Sequence, residues 1–306
     1  MFASDKLGNE MSSLVLFAAL TTLRQLVYPS AYFAEQPIPK FDKGYLLFLG
    51  LSCNLTVHAP SGNLLFSKDL TPCGGLTDAA VDTDGTFAVS LSYLSPVGKA
   101  GAIARLDAAG RQTAFIETKR YLASGVGFDA KHTLWAIGWQ RDEIRRDEGD
   151  TKDYMLVRRY SRAGVETGAF IPRSLWETTG EPAGVVLGHW HMAFAKDHVG
   201  AWVYPHYSHR TPQWVEWDLD GNLIARISIP DSVDGCSAFT SSGRLYTVLW
   251  DPKHKVSNLA VLERATRAWR VLAERNETLL GADGEDLVFT KNTGGPIELV
   301  WVRAPE

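Results

Sequence analysis

Short apolar runs recur along this chain, each broken by a polar turn and followed by another apolar run. Val81 to Gly85 (VDTDG) leads into Thr86 to Ser90 (TFAVS), and Phe128 to His132 (FDAKH) leads into Thr133 to Ile137 (TLWAI). Phe239 to Gly243 (FTSSG) leads into Arg244 to Val248 (RLYTV), and Phe41 to Gly44 leads into Tyr45 to Phe48. Looser copies lie at Phe194 to Tyr204 and at Ala282 to Phe289. β-Branched and aromatic residues fill the runs, while Gly, Asp and Ser fill the turns. Each unit therefore predicts a hairpin. The turns are expected near Gly44, Gly85, His132, Gly200, Gly243 and Asp286.

A second hairpin follows each of the first five. Leu55 to His58 turns at Gly62, Ile103 to Leu106 at Gly110, Leu156 to Tyr160 at Gly164, Trp214 to Trp217 at Gly221, and Leu259 to Leu262 near Thr266. These turns recur roughly every 50 residues, and two hairpins per repeat make one four-stranded sheet. The expectation is an all-β, six-bladed β-propeller with four-stranded antiparallel blades over residues 36–306. A β-sandwich would not repeat so regularly. Within each blade the strands run outward as A, B, C and D. The last blade supplies only three of them, ending in Ile297 to Val302. Its outer strand is expected from Ser12 to Glu35, because an unpaired sheet edge is a liability that proteins avoid. In repeat length and strand order, nearly the whole chain resembles the six-bladed propellers of the NHL and TolB-like kind. That resemblance carries no specific motif, so it implies a fold and no activity.

Length alone favours two domains, but β-rings exceed that prior as single units. Hydrophobic residues at 45% and charged residues at 22% are ordinary for a globular chain with a large core. A net charge of −4 without a basic stripe argues against nucleic acid as a partner. Leu14 to Leu20 (LVLFAAL) has the length of a signal-peptide core, yet Lys6 is offset by Asp5 and Glu10, so the usual positive flank is missing. Residues 1–35 are thus read as a closing strand or, alternatively, as a signal segment that would place the chain in a secreted or periplasmic setting. The apolar run is interrupted by Thr21, Thr22 and Arg24, too soon to span a bilayer. Three cysteines are too few for a disulfide scaffold, and pairing of Cys53 with Cys73 stays open.

In such a ring the A–B and C–D turns share one rim, and the B–C and D–A connections share the other. The second rim is expected to carry the longer segments, Tyr93 to Ala100, Gln140 to Asp153, Pro205 to Pro212 and Asp251 to Ser257. Trp139, Tyr207 and Trp250 each fall seven residues past an expected A–B turn of blades three to five and suggest an aromatic binding patch. Asp78 at the channel mouth and Arg141 in a mixed-charge loop complete the expected binding rim. His189 and His191 alternate on an expected strand, so their imidazoles share a side, and His206 follows in the next loop. With Cys236 in the same register one blade on, these residues suggest, as the alternative, a site for a divalent metal such as zinc with an open position. Histidines among aromatic strands also serve simply as hydrogen-bonded packing residues. Asp82 and Asp218 head Asp-x-Asp-Gly strings, but the twelfth positions are Tyr93 and Ile229 rather than Glu. Both strings therefore read as hairpin turns, not calcium loops.

Two functions follow. The first is a non-catalytic binding propeller, without a cofactor, that holds a protein or small-molecule ligand at the loop-rich rim. The second is a metal-dependent hydrolase or lyase similar to the lactonase-type propellers, with the histidine cluster of blade four as ligands. Zinc-bearing lyase propellers draw their histidines from different blades, whereas here they crowd into one.

Overall fold

The computed structural model describes residues 22–28, 39–50, 52–96, 98–140, 154–176, 192–203, 212–229, 232–275, 277–291 and 297–306. They form six antiparallel sheets of four strands each. Blade one holds β2 (Pro39–Asp42), β3 (Tyr45–Leu49), β4 (Asn54–His58) and β5 (Leu64–Asp69). Blade two holds β6 (Gly75–Val81), β7 (Phe87–Ser95), β8 (Gly98–Leu106) and β9 (Gln112–Lys119). Blade three holds β10 (Tyr121–Phe128), β11 (Leu134–Gln140), β12 (Met155–Tyr160) and β13 (Glu166–Pro172). Blade four holds β14 (Ala193–Phe194), β15 (His198–Val203), β16 (Gln213–Asp218) and β17 (Leu223–Ser228). Blade five holds β18 (Ser232–Phe239), β19 (Leu245–Asp251), β20 (Val256–Glu263) and β21 (Ala268–Glu274). Blade six holds β22 (Thr278–Asp283), β23 (Asp286–Lys291) and β24 (Ile297–Arg303), and is completed by β1 (Thr22–Tyr28).

The closing strand lies where the missing edge required it. β1 runs antiparallel to β24, with Thr22 opposite Val302 and Tyr28 opposite Ile297. Arg24 stacks its guanidinium 4.7 Å from the Trp301 ring centroid and donates to the Pro60 carbonyl of blade one at 2.9 Å. The segment thus joins the last blade to the first.

Burial explains why the inner strands lack a clean alternation. Blades stack face against face, so both faces of a B or C strand are covered and its sequence reads as a continuous apolar run. Six buried clusters result, one at each seam between neighbouring blades. Between blades three and four, for example, Trp135, Ile137 and Leu156 meet Val199, Val215 and Trp217. The outer strands β5, β17 and β21 are mostly exposed and more polar.

Glycines at the C–D turns have two reasons to be there. Gly110 and Gly221 adopt φ of 76° and 92°, which L side chains rarely tolerate. A Cβ at these positions would also meet the preceding blade, 2.7 Å from Phe66 and 2.0 Å from Phe170. Three expectations need correction. The A–B turn of blade four lies at 195–198 rather than at Gly200, which sits inside β15 under the Trp214 ring. Tyr93 to Ala100 is no loop, since Tyr93 pairs with Ala100 and Ser95 with Gly98 in a long hairpin. Asp251 to Ser257 is likewise a tight hairpin, with Asp251 opposite Val256. The remaining A–B turns lie within two residues of their expected positions.

Cys53 and Cys73 form a disulfide across a sequence separation of 20 residues and tie the β3–β4 connection to the segment entering blade two. Among the described residues no helix is long and apolar enough to cross a membrane.

Candidate functional site

The first strands of neighbouring blades touch one another around the ring: β2 meets β6 and β22, β10 meets β6 and β14, and β18 meets β14 and β22. They line a central channel containing a cavity of about 270 Å³. Its two walls differ in chemistry.

The wall from blades one to three carries charge. Lys40 is buried, and its Nζ donates at 3.0 Å to each carboxylate oxygen of Asp78 and at 3.3 Å to the Val126 carbonyl. Asp78 has no solvent exposure and accepts the backbone N–H of Ala79 and of Val126, both at 2.8 Å. One buried ion pair therefore binds three blades together. Nearer the A–B rim, Lys43 donates to the carbonyls of Val81 at 2.9 Å and Phe128 at 3.3 Å. Asp42 accepts the Val81 N–H at 2.9 Å and lies 3.5 Å from the Lys43 ammonium. Burying such charges is tolerable only with this degree of pairing.

The wall from blades four to six is mostly apolar, with Met192, Phe194, Cys236, Phe239 and Leu280, and holds Ser237 and Asp283 as its polar members. Phe194 reaches across the seam onto Gly127, where a Cβ would stand 2.0 Å from the ring. Its face lies 6.0 Å from the Lys43 ammonium, so it links the two walls. Among the described residues, no histidine lines the cavity beside Cys236. The arrangement can hold an apolar group against a polar wall.

The residues expected from the sequence fare differently. Asp78 does not line the cavity but lies buried behind it as the partner of Lys40, its carboxylate taken up by the inter-blade contacts. Cys236 is 3% exposed and lines the cavity. Trp139 and Trp250 lie half-buried near the ends of β11 and β19, Trp139 packing against the core between blades three and four. Arg141, His189, His191, His206 and Tyr207 lie outside the described residues. The sequence reading missed Lys40 and Lys43. Their signal is a pair of lysines flanking Phe41, one in the inward first strand and one in the turn that follows it (Pro39-Lys-Phe-Asp-Lys43), where a buried charge needs a partner.

Comparison with solved structures agrees with the ring. The chain is similar to the WD40 domain of Neurospora crassa Pan2, at 11% identity and a TM-score of 0.55, over 88% of this chain and 75% of that one. It is also similar to the Dos1 propeller, at 11% identity and a TM-score of 0.50, over 88% and 82% of the two chains. These likenesses concern the fold alone, and they do not carry the narrower NHL or TolB-like assignment. No protein-family model and no curated protein matches the chain.

Proposed function

We propose that this chain is a non-catalytic binding propeller whose channel cavity receives an apolar group of its ligand, either a partner's side chain or a small molecule. The two-walled cavity carries this reading. Its volume of about 270 Å³ suits one large side chain or a compact ligand. The charged wall is already internally paired, so it orients a ligand through dipoles and does not react with it. The lining reaches the A–B turns at Asp42, Lys43 and Gly284, so the rest of the ligand would lie on that rim, and Trp139 and Trp250, with Tyr207 and Arg141, would form a separate contact surface at the opposite, loop-rich rim. The Cys53–Cys73 bond supports an oxidising compartment as the setting. No cofactor is needed.

The test is a thermal-shift screen of small aromatic and aliphatic acids, amines and short peptides against the wild type and Cys236→Phe, which fills the cavity. Ligands that stabilise the wild type should lose their effect on the filled variant. Stabilisation that survives filling, or a panel with no binder, would count against the channel as the binding site.

A further inference from the structure

The A–B turns of blades two and three bring together Asp82, Asp84 and His132, each offering one ligand atom within 4.8 Å of the others. None of the three lines the channel cavity, so this group is independent of the binding reading. His132 stands in the β10–β11 turn at a φ of 62°, and its Nδ1 lies 2.9 Å from Asp82 Oδ1. Thr83 Oγ1 lies 3.5 Å from the same nitrogen. Asp84 Oδ1 accepts from the N–H and hydroxyl of Thr86.

A second observation does not depend on that grouping. The Asp82 side chain is wholly buried, and its Oδ2 accepts no hydrogen bond. A buried carboxylate oxygen without a donor is destabilising. Two guanidinium groups stand close by. Arg162 bonds Asp84 Oδ2 at 2.5 Å, and Arg105 donates to the Arg162 carbonyl while sensing the charges of Asp82 and Asp84. Neither donates to Asp82 Oδ2.

We propose that Asp82, Asp84 and His132 bind a divalent transition-metal ion on the A–B rim, across the seam between blades two and three. One imidazole nitrogen with two carboxylates favours zinc, manganese or nickel over calcium or magnesium, which prefer all-oxygen shells. Three protein ligands leave further positions for water. The ion satisfies the orphaned Asp82 oxygen and replaces Arg162 as the partner of Asp84. Arg162 is free to leave because its side chain is 66% exposed. Arg105 stays in place, so its charge moderates the affinity.

Titration calorimetry with zinc chloride alone, on tag-free protein first stripped with a chelator, tests this. The wild type should bind one equivalent. His132→Ala and Asp84→Asn should each weaken binding at least tenfold, while Arg162→Ala tightens it by removing the competing cation. Circular dichroism confirms the fold of each variant, and Asp84, on the exposed turn, keeps the test decisive if the His132 variant misfolds. No saturable binding, or an Asp84→Asn affinity within threefold of wild type, overturns the proposal.

Discussion

At the scale of single residues, burial has readable consequences for His58. The residue closes β4, accepts solvent over only 3% of its surface, and holds its Nδ1 3.1 Å from the Gly62 carbonyl. Burial pushes its pKa below the ordinary 6.5, and the Gly62 contact only partly opposes that shift. The folded state therefore disfavours the imidazolium. This contribution to stability is complete above pH 6.5 and declines as the pH falls from there toward the depressed folded value. Urea midpoints at pH 7.5 and pH 5.5 should show the wild type losing stability, and His58→Gln should lose less. The two proteins losing the same amount would assign the pH dependence elsewhere. The low-pKa carboxylates, Asp107 and Asp218 among them, act in a more acidic window and do not mask this comparison.

Among elements, the inward strands carry the most consequential pair. Removing Asp78 strands the Lys40 ammonium in the ring and frees the N–H groups of Ala79 and Val126. Asp78→Ala should cost about 3–5 kcal/mol in urea unfolding. The double replacement Lys40→Met with Asp78→Leu should recover much of that loss, because it removes both charges and leaves apolar volume. A double variant no more stable than the single one would show that the backbone bonds to Asp78 matter more than the ion pair.

The same strands mark where the sequence stopped being legible. Hairpins β2–β3, β6–β7, β10–β11 and β18–β19 were visible because local turn chemistry coincides with apolar runs. The β14–β15 turn was misplaced because Gly200 resembles a turn residue. Its true cause is the Trp214 ring lying against it, a contact 14 residues away in sequence. Likewise Gly110 and Gly221 read as turns, but the approach of Phe66 and Phe170 from the preceding blade leaves no local trace. The site follows the same rule. Asp82 was recognised as a turn residue, yet its meeting with His132 depends on how two blades stack, which periodicity cannot report.

Over the whole molecule, stability is shared among six similar seams, and closure is the step that makes the ring continuous. Without β1, the β24 edge is open and Trp301 loses its Arg24 cover. Deleting residues 1–28 should lower the melting temperature by on the order of 5–10 °C. An unchanged melting temperature would show that the other five seams hold the ring without it.

The pairing of β1 with β24 also sets an order of events during synthesis. Tyr28 leaves the ribosome first, and its partner Ile297 follows only after the intervening chain has been made. At 5–20 residues per second, that delay is on the order of tens of seconds. Throughout it, the nascent chain carries an unmatched strand while blades one to five assemble in turn. Leu23 and Val27, exposed even in the finished ring, are then accessible to chaperones or to a neighbouring nascent chain. The wait is tolerable because, among the described side chains of this strand, Leu26 alone packs against the core cluster between blades six and one.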